Sequence, residues 1–391
     1  MNSPNTAAYR LSFFALLLPL FLLALTGCRP PNFPQYPPDY REYAYVSNGG
    51  SGTVSVFDVV NLRLDREIAV GQDPVAVAAN PVRNEVYVVN AGAVGGKGSV
   101  SVIDAERNAV VATIPAGQAP LAMEVDSRGN LAYVANSGSN SVTVLDLRAR
   151  RAIATLDAGE DPVALRLAPD GNSLVVADRR GNSVSILDPA TRRLRATFAG
   201  CPGASDVVIL PDSSKAFAAC SAGHQIMAIA LARPKAKPAL PDRMEDLLDV
   251  GHGPVQLALK PDGGELFSLN SLSDSISEVA TNSADVGGSY MIGEDPVRGI
   301  VSADNAMLYV ASFRSQYITV YSINDGRRIG SIRVGDGPMA LAFSRSGFLL
   351  FAVDARSCDV AVVRTGLRSL FTLLPTGRAP DAIAVKAFNL R

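Results

Sequence analysis

The sequence predicts an all-β chain closed into an eight-bladed β-propeller of four-stranded blades, and three recurring markers carry that expectation. The first is a short apolar strand ending in a small or polar residue: YVSN at 45, YVVN at 87, YVAN at 133, VVAD at 175, FAAC at 217, FSLN at 267, YVAS at 309 and FAVD at 351. The intervals are 42, 46, 42, 42, 50, 42 and 42 residues. The second accompanies it: TVSVFD at 53, SVSVID at 99, SVTVLD at 141, SVSILD at 183, QIMAIA at 225, SISEVA at 275, YITVYS at 317 and DVAVVR at 359. The third is a glycine turn, GQDP at 71, GQAP at 117, GEDP at 159, GHGP at 251, GEDP at 293, GDGP at 335 and GRAP at 377, from which the fourth unit departs as GCPG at 200.

Each unit holds four short β-rich runs bounded by Gly, Pro, Asn and Asp. A strand such as VAVAANP follows the turn, then the strand at the first marker, then the strand at the second, then one of the ATIPAG type. Length alone suggests two or three domains, but repetition at this period overrides that prior, and four strands per unit around a ring is a propeller. YVSN, SVSVID and ATIPAGQAP resemble the YVTN-repeat family of bacterial and archaeal propellers, over about residues 43–388. The resemblance implies that the strand after the turn is innermost and the ATIPAG strand outermost. Seven blades are common in that family, so a seven-bladed ring is the alternative to the eight units counted. The chain opens on YAYVSN without an inner strand and ends on PDAIAV, which supplies one, so residues 380–386 are expected to complete the first blade. Aromatic residues make up 6% and Trp is absent, so the blade cores are expected to be Val, Leu, Ile and Ala.

The amino-terminal segment carries a different message. Residues 11–25 are almost wholly apolar and too short for a spanning helix, which fits the core of a secretory signal. Leu25-Thr26-Gly27-Cys28 resembles the bacterial lipobox, which implies cleavage before Cys28, diacylglycerol on its thiol and acylation of the new amino terminus. Two or more acyl chains give stable anchoring. Arg29 follows the cysteine where an inner-membrane retention aspartate would stand, so an outer-membrane, periplasmic or surface-facing location is expected in an organism that has an outer membrane. Residues 29–40 contain five prolines in twelve positions, a semi-rigid spacer. The expected organisation is a signal peptide at 1–27, a lipidated cysteine and tether at 28–42, and a propeller at 43–391.

Strand order puts the glycine turns and the loops after the first-marker strands on one face. The residues after the turn glycines are Gln72, Gln118, Glu160, Cys201, His252, Glu294, Asp336 and Arg378, with Asp73, Asp161, Asp295 and Asp381 close by. Neighbouring loops add Arg179, Arg180, His224, Arg314 and Arg356. A mixed-charge channel mouth is a plausible ligand site, and Arg179, Arg180, Arg314, Arg356 and Asp336 are its binding candidates. The same residues have a plainer reading as solvated turn positions. For acid–base chemistry of the lactonase type, only His252, Glu160, Glu294 and Arg378 are candidates. The opposite face carries DLRARRA at 146–152, DPATRRLR at 188–195 and NDGRR at 324–328. With a net charge of −1 and interspersed acids, these give no specific nucleic-acid signal. Two insertions, AGAVGGKGS at 91–99 and ARPKAKPALPDRMEDLL at 232–248, account for the two longer intervals.

Cys201, Cys220 and Cys358 remain beyond Cys28. In an exported chain a disulfide is permissible, and Cys201 with Cys220, on neighbouring strands, is the expected pair. Two histidines cannot build a three-histidine metal site, and no C-x-x-C-H or G-x-S-x-G occurs. No cofactor or metal is therefore expected. The sequence points to a lipid-anchored extracytoplasmic module that binds a protein, glycan or small ligand, with a lactonase- or oxidoreductase-type enzyme as the alternative.

Overall fold

The computed structural model of the chain describes residues 33–233 and 240–390. The expected signal peptide, Cys28 and the start of the tether lie outside the described residues, as does part of the 232–248 insertion.

Eight four-stranded antiparallel sheets form the fold. Blade 1 combines Tyr40–Asn48, Thr53–Asp58 and Arg63–Ala69 with the last strand of the chain, Pro380–Asn389. Blade 2 begins at Pro74, blade 3 at Pro120, blade 4 at Pro162, blade 5 at Ala204, blade 6 at Pro254, blade 7 at Pro296 and blade 8 at Pro338, and each runs outward in chain order. The eight inner strands neighbour one another in an unbroken ring, with Pro380–Asn389 between those of blades 8 and 2. The count is eight, not seven. The first strand starts at Tyr40, so the propeller takes in the last three residues of the expected tether. The closing strand outruns the expected 380–386, pairing Tyr43 with Lys386 and Tyr40 with Asn389.

Burial follows strand position. The second strand of blade 2, Glu85–Asn90, is buried through Val86–Asn90, whereas the outer strand of blade 1, Arg63–Ala69, buries only Ile68. Faces of adjacent blades pack together: Tyr45, Val54, Val56 and Ile68 of blade 1 meet Val86, Val88 and Ile103 of blade 2. Burying such side chains contributes roughly 1.5–3 kcal/mol each and dominates the stability of the ring.

The recurring polar residues explain themselves in this frame. In blades 2 and 3 the Asn that ends the strand next to the innermost holds the glycine turn against the following strand, whereas in blades 1 and 6 the turn glycine N–H donates to Ser55 or Ser277 Oγ. Asn90 Oδ1 accepts the Gly71 N–H at 3.1 Å while its Nδ2 donates to Ser101 Oγ at 3.0 Å. Asn136 does the same with Gly117 and Thr143. A Cβ at Gly71 would stand 2.6 Å from Asn90 Cγ, which is why the turn needs glycine there. The residue just before each inner strand has positive φ in every unit: Asp73, Ala119, Asp161, Gly203, Gly253, Asp295, Gly337 and Ala379. Asp and Gly at that position are the turn chemistry the backbone demands.

Blade 5 departs from the pattern in both partners at once. Its turn is GCPG and Cys220 stands where Asn, Asp or Ser ends the other strands. Cys201 and Cys220 are bonded, with Cα atoms 4.7 Å apart. The bond ties turn to strand where the other blades use a hydrogen bond. Ala204, not Cys201, pairs with Cys220 across the sheet.

Candidate functional site

The structure places the binding candidates on turns and pairs them locally. The carboxylate of buried Asp161 accepts from Arg179 Nε at 2.9 Å and from Arg180 Nε at 3.2 Å. Arg314 lies 3.4 Å from Asp295. Arg356 lies 3.8 Å from Asp336 and sits over the Phe313 ring, 4.5 Å from its centroid. Each arginine thus meets an acid of the turn entering its own blade. These four arginines are thereby held in place, although such exposed pairs add little stability.

The catalytic candidates are spread over separate turns. Glu160 enters blade 4, His252 blade 6, Glu294 blade 7 and Arg378 blade 1. No hydrogen bond or ion pair among the described residues joins any two of them. His252 does have a partner that its sequence position concealed. Its ring stacks on His224 with centroids 4.6 Å apart and planes 13° from parallel, and His224 Nδ1 accepts the Gly253 N–H at 3.1 Å. The two residues are 28 positions apart and reach each other only because blades 5 and 6 are neighbours. Among the described residues no cluster of three or more His, Cys, Asp or Glu side chains could hold a metal ion.

Sequence reasoning missed the polar belt inside the channel. Each of the seven inner strands from blade 2 to blade 8 has a register shift just after its first residue, as at Pro254/Gln256 and Pro296/Arg298. Such a bulge re-aims the side chain two residues on. In blade 5 that residue is Asp206, whose Oδ2 accepts the Leu257 N–H of blade 6 at 3.0 Å. In blade 6 it is Gln256, whose Oε1 accepts the Gly299 N–H of blade 7 at 2.8 Å. In blade 7 it is Arg298, a guanidinium that can only donate. The chain of side-chain-to-next-blade bonds therefore stops there, and Arg298 has no hydrogen-bond or ion-pair partner among the described residues.

Arg298 is electrostatically coupled to Asp206, Arg166 and Asp381, which belong to the inner strands of blades 5, 4 and 1. Groups so distributed around the ring share the axial space. Loss of hydration lowers the pKa of Arg298, although its surface touches solvent, because that solvent is the confined channel and not bulk water. Burial pushes Asp381 up to about 6, with Arg298 opposing the rise and Asp73 adding to it. Two residues deeper, Glu124 of blade 3 lies 3.8 Å from Arg166 of blade 4, and burial raises its carboxyl. The belt holds three acids, one amide and two guanidinium groups, of which Arg298 is the open cation. Its signal in the sequence is a charged or amide residue interrupting an otherwise apolar inner strand: MEV, LRL, SDV, VQL, VRG and PDA.

The chain matches no protein-family profile and no curated protein. Its likeness is to solved structures. Hydrazine synthase from Kuenenia stuttgartiensis matches with a TM-score of 0.56 and 20% identity, over 82% of this chain and 92% of that one. A protein of unknown function from Desulfotomaculum acetoxidans DSM 771 matches with a TM-score of 0.59 and 14% identity, over 88% and 98%. The dihydro-heme d1 dehydrogenase NirN, in complex with DHE, matches with a TM-score of 0.71 and 17% identity, over 90% and 76%. At these identities the likeness is one of fold.

Proposed function

We propose that the chain is a YVTN-type, lipid-anchored extracytoplasmic propeller that binds a protein, glycan or small ligand at its turn face and channel mouth. The observation that carries this reading is Arg298. It is an unpaired guanidinium two residues inside the channel from the turn face, within electrostatic reach of Asp206, Asp381 and Arg166 and framed by arginines already held on turn aspartates. Such a site is preorganised for recognition, because little side-chain freedom is lost on binding. Separation of Glu160, His252, Glu294 and Arg378 onto different turns supports binding over acid–base chemistry, which needs its groups within hydrogen-bond reach of one reacting centre. Anchoring rests on the Leu25-Thr26-Gly27-Cys28 motif, and Cys28→Ala is expected to move the protein from the membrane to the soluble fraction.

The test of the binding reading is photo-crosslinking in intact cells with a probe at Arg378. A control probe at Arg107 uses a turn on the opposite face, where the side chain is 78% exposed. A discrete adduct from position 378 alone, weakened by Arg298→Ala, is the expected result. Equal labelling from both positions, or adducts indifferent to Arg298, would overturn the assignment to the channel mouth.

A further inference from the structure

At the opposite end of the ring, a groove of about 600 Å³ opens between blades 7 and 8. It lies between the first turns of the two blades and the turn joining the last two strands of blade 8. Met307, Tyr309 and Phe343 line it, the two rings meeting edge to face with centroids 5.7 Å apart.

Tyr309 occupies the first position of the YVTN-type strand, and its hydroxyl, like that of Tyr133 in blade 3, lacks the partner found in blades 1 and 2. In blade 1 the Tyr45 hydroxyl donates to Asn108 Oδ1 at 2.6 Å. In blade 2 the Tyr87 hydroxyl donates to Glu85 at 2.7 Å and accepts from Asn80 and Arg83. The Tyr309 ring is buried, the residue being only 3% exposed, while its hydroxyl, with no hydrogen-bond partner among the described residues, opens onto the groove.

Two cations border the same groove. The guanidinium groups of Arg345 and Arg368 are exposed and have no hydrogen-bond or ion-pair partner among the described residues. Arg368 is close enough to Tyr309 that its charge opposes the rise in phenol pKa caused by burial. One acid, Asp304, also lines the groove, and its charge acts on Tyr309 against that of Arg368. Asp304 accepts from the Ser302 hydroxyl and the Ala306 N–H. Glu42 accepts from the Arg345 backbone N–H and the Tyr40 hydroxyl.

This polarity is not a generic product of the fold. A groove of about 720 Å³ that includes the first turns of blades 3 and 4 carries Glu124, Asp126 and Asp170 against a single Arg128. The architecture is shared and the sign of the charge is reversed.

We propose that the groove between blades 7 and 8 binds a small organic anion with a flat apolar body, such as a carboxylate or sulfonate on an aromatic ring. The guanidinium groups of Arg345 and Arg368 match the anion's oxygens. The Tyr309 hydroxyl donates to it, and Phe343 and Met307 receive the ring. Volume and lining are those of a small-molecule site, apolar with a few convergent polar groups. This site is separate from the turn face and stands or falls independently of it.

The test is calorimetric titration of the purified full chain with 2-naphthoate and with its neutral analogue 2-naphthylmethanol. Naphthoate is expected to bind at least tenfold tighter than the alcohol. Combining Arg345→Gln with Arg368→Gln should abolish that preference and leave the affinity for the alcohol unchanged. Tyr309→Phe should weaken naphthoate severalfold, and Arg378→Gln on the turn face should change nothing. No binding of naphthoate up to millimolar concentration, equal affinity for the two probes, or a double variant that keeps wild-type affinity would each overturn the proposal.

Discussion

At the residue scale, the position that ends each second strand shows how one substitution changes the physics of a repeat. Asn48, Asn90, Asn136 and Asn270 there can donate and accept at once. Asp178 replaces the amide and accepts from Ser185 Oγ at 2.6 Å, so burial raises its pKa only to about 6 against those hydrogen bonds. Asp354 is worse placed. It is buried, accepts the Gly335 N–H at 2.9 Å, and faces Asp359 where five of the other blades offer Ser or Thr, so its pKa is pushed up to about 8 by burial and then by Asp359. A carboxyl with a raised native pKa binds its proton more tightly in the folded state. Its penalty is absent below the unfolded value of about 4 and grows as pH rises toward the native one. Asp354→Asn restores the donor and removes the titration. Thermal melts are expected to show a Tm gain of roughly 2–4 °C at pH 8, shrinking toward pH 4. A gain of equal size at both pH values would show that the carboxyl pair is not its source. The asparagines themselves were visible as motif letters, but the clamping of turn glycines by Asn90 and Asn136 required the sheet register.

At the scale of the element, the turn and second strand of blade 5 form a unit in which both partners changed together. GCPG at 200 and FAAC at 217 read as two separate departures from the repeat, and only their juxtaposition joins them. Replacing both cysteines by Ala leaves the turn without either a disulfide or an Asn clamp. The expected cost is about 2–4 kcal/mol, the range typical of a cross-link closing a loop of this order, read by denaturant unfolding under oxidising conditions. Wild-type protein in reductant should lose a similar amount, and an unchanged midpoint in both cases would remove the bond from the account. The inner strands teach a related lesson. Asp206, Gln256 and Arg298 sit at equivalent steps after their turns, and the register shift beside each aims them toward the next blade. Nothing in a five-residue apolar run announces that shift.

For the whole molecule, closure is the decisive interaction. Pro380–Asn389 pairs with Tyr40–Asn48 along nearly its full length and completes the ring of inner strands. Removing residues 380–391 strips blade 1 of its inner strand, exposes its edge and separates blades 8 and 2. An exposed edge is a template for pairing with other chains. The truncated protein is expected to self-associate on size-exclusion chromatography and to lose cooperative unfolding, whereas a monomer with unchanged Tm would mean the ring does not depend on closure. The sequence by itself determined the number of blades, the order of strands within them, the closing strand and the turn chemistry. Those properties are periodic or local, and eight copies repeat them in step. Tertiary structure alone decided that His224 stacks on His252, that Arg298 ends a chain of acceptors in the axial channel, and that Tyr309 opens onto a cationic groove. Each of these depends on which side chains of different units face one another across a blade boundary, and spacing along the chain carries no record of that direction.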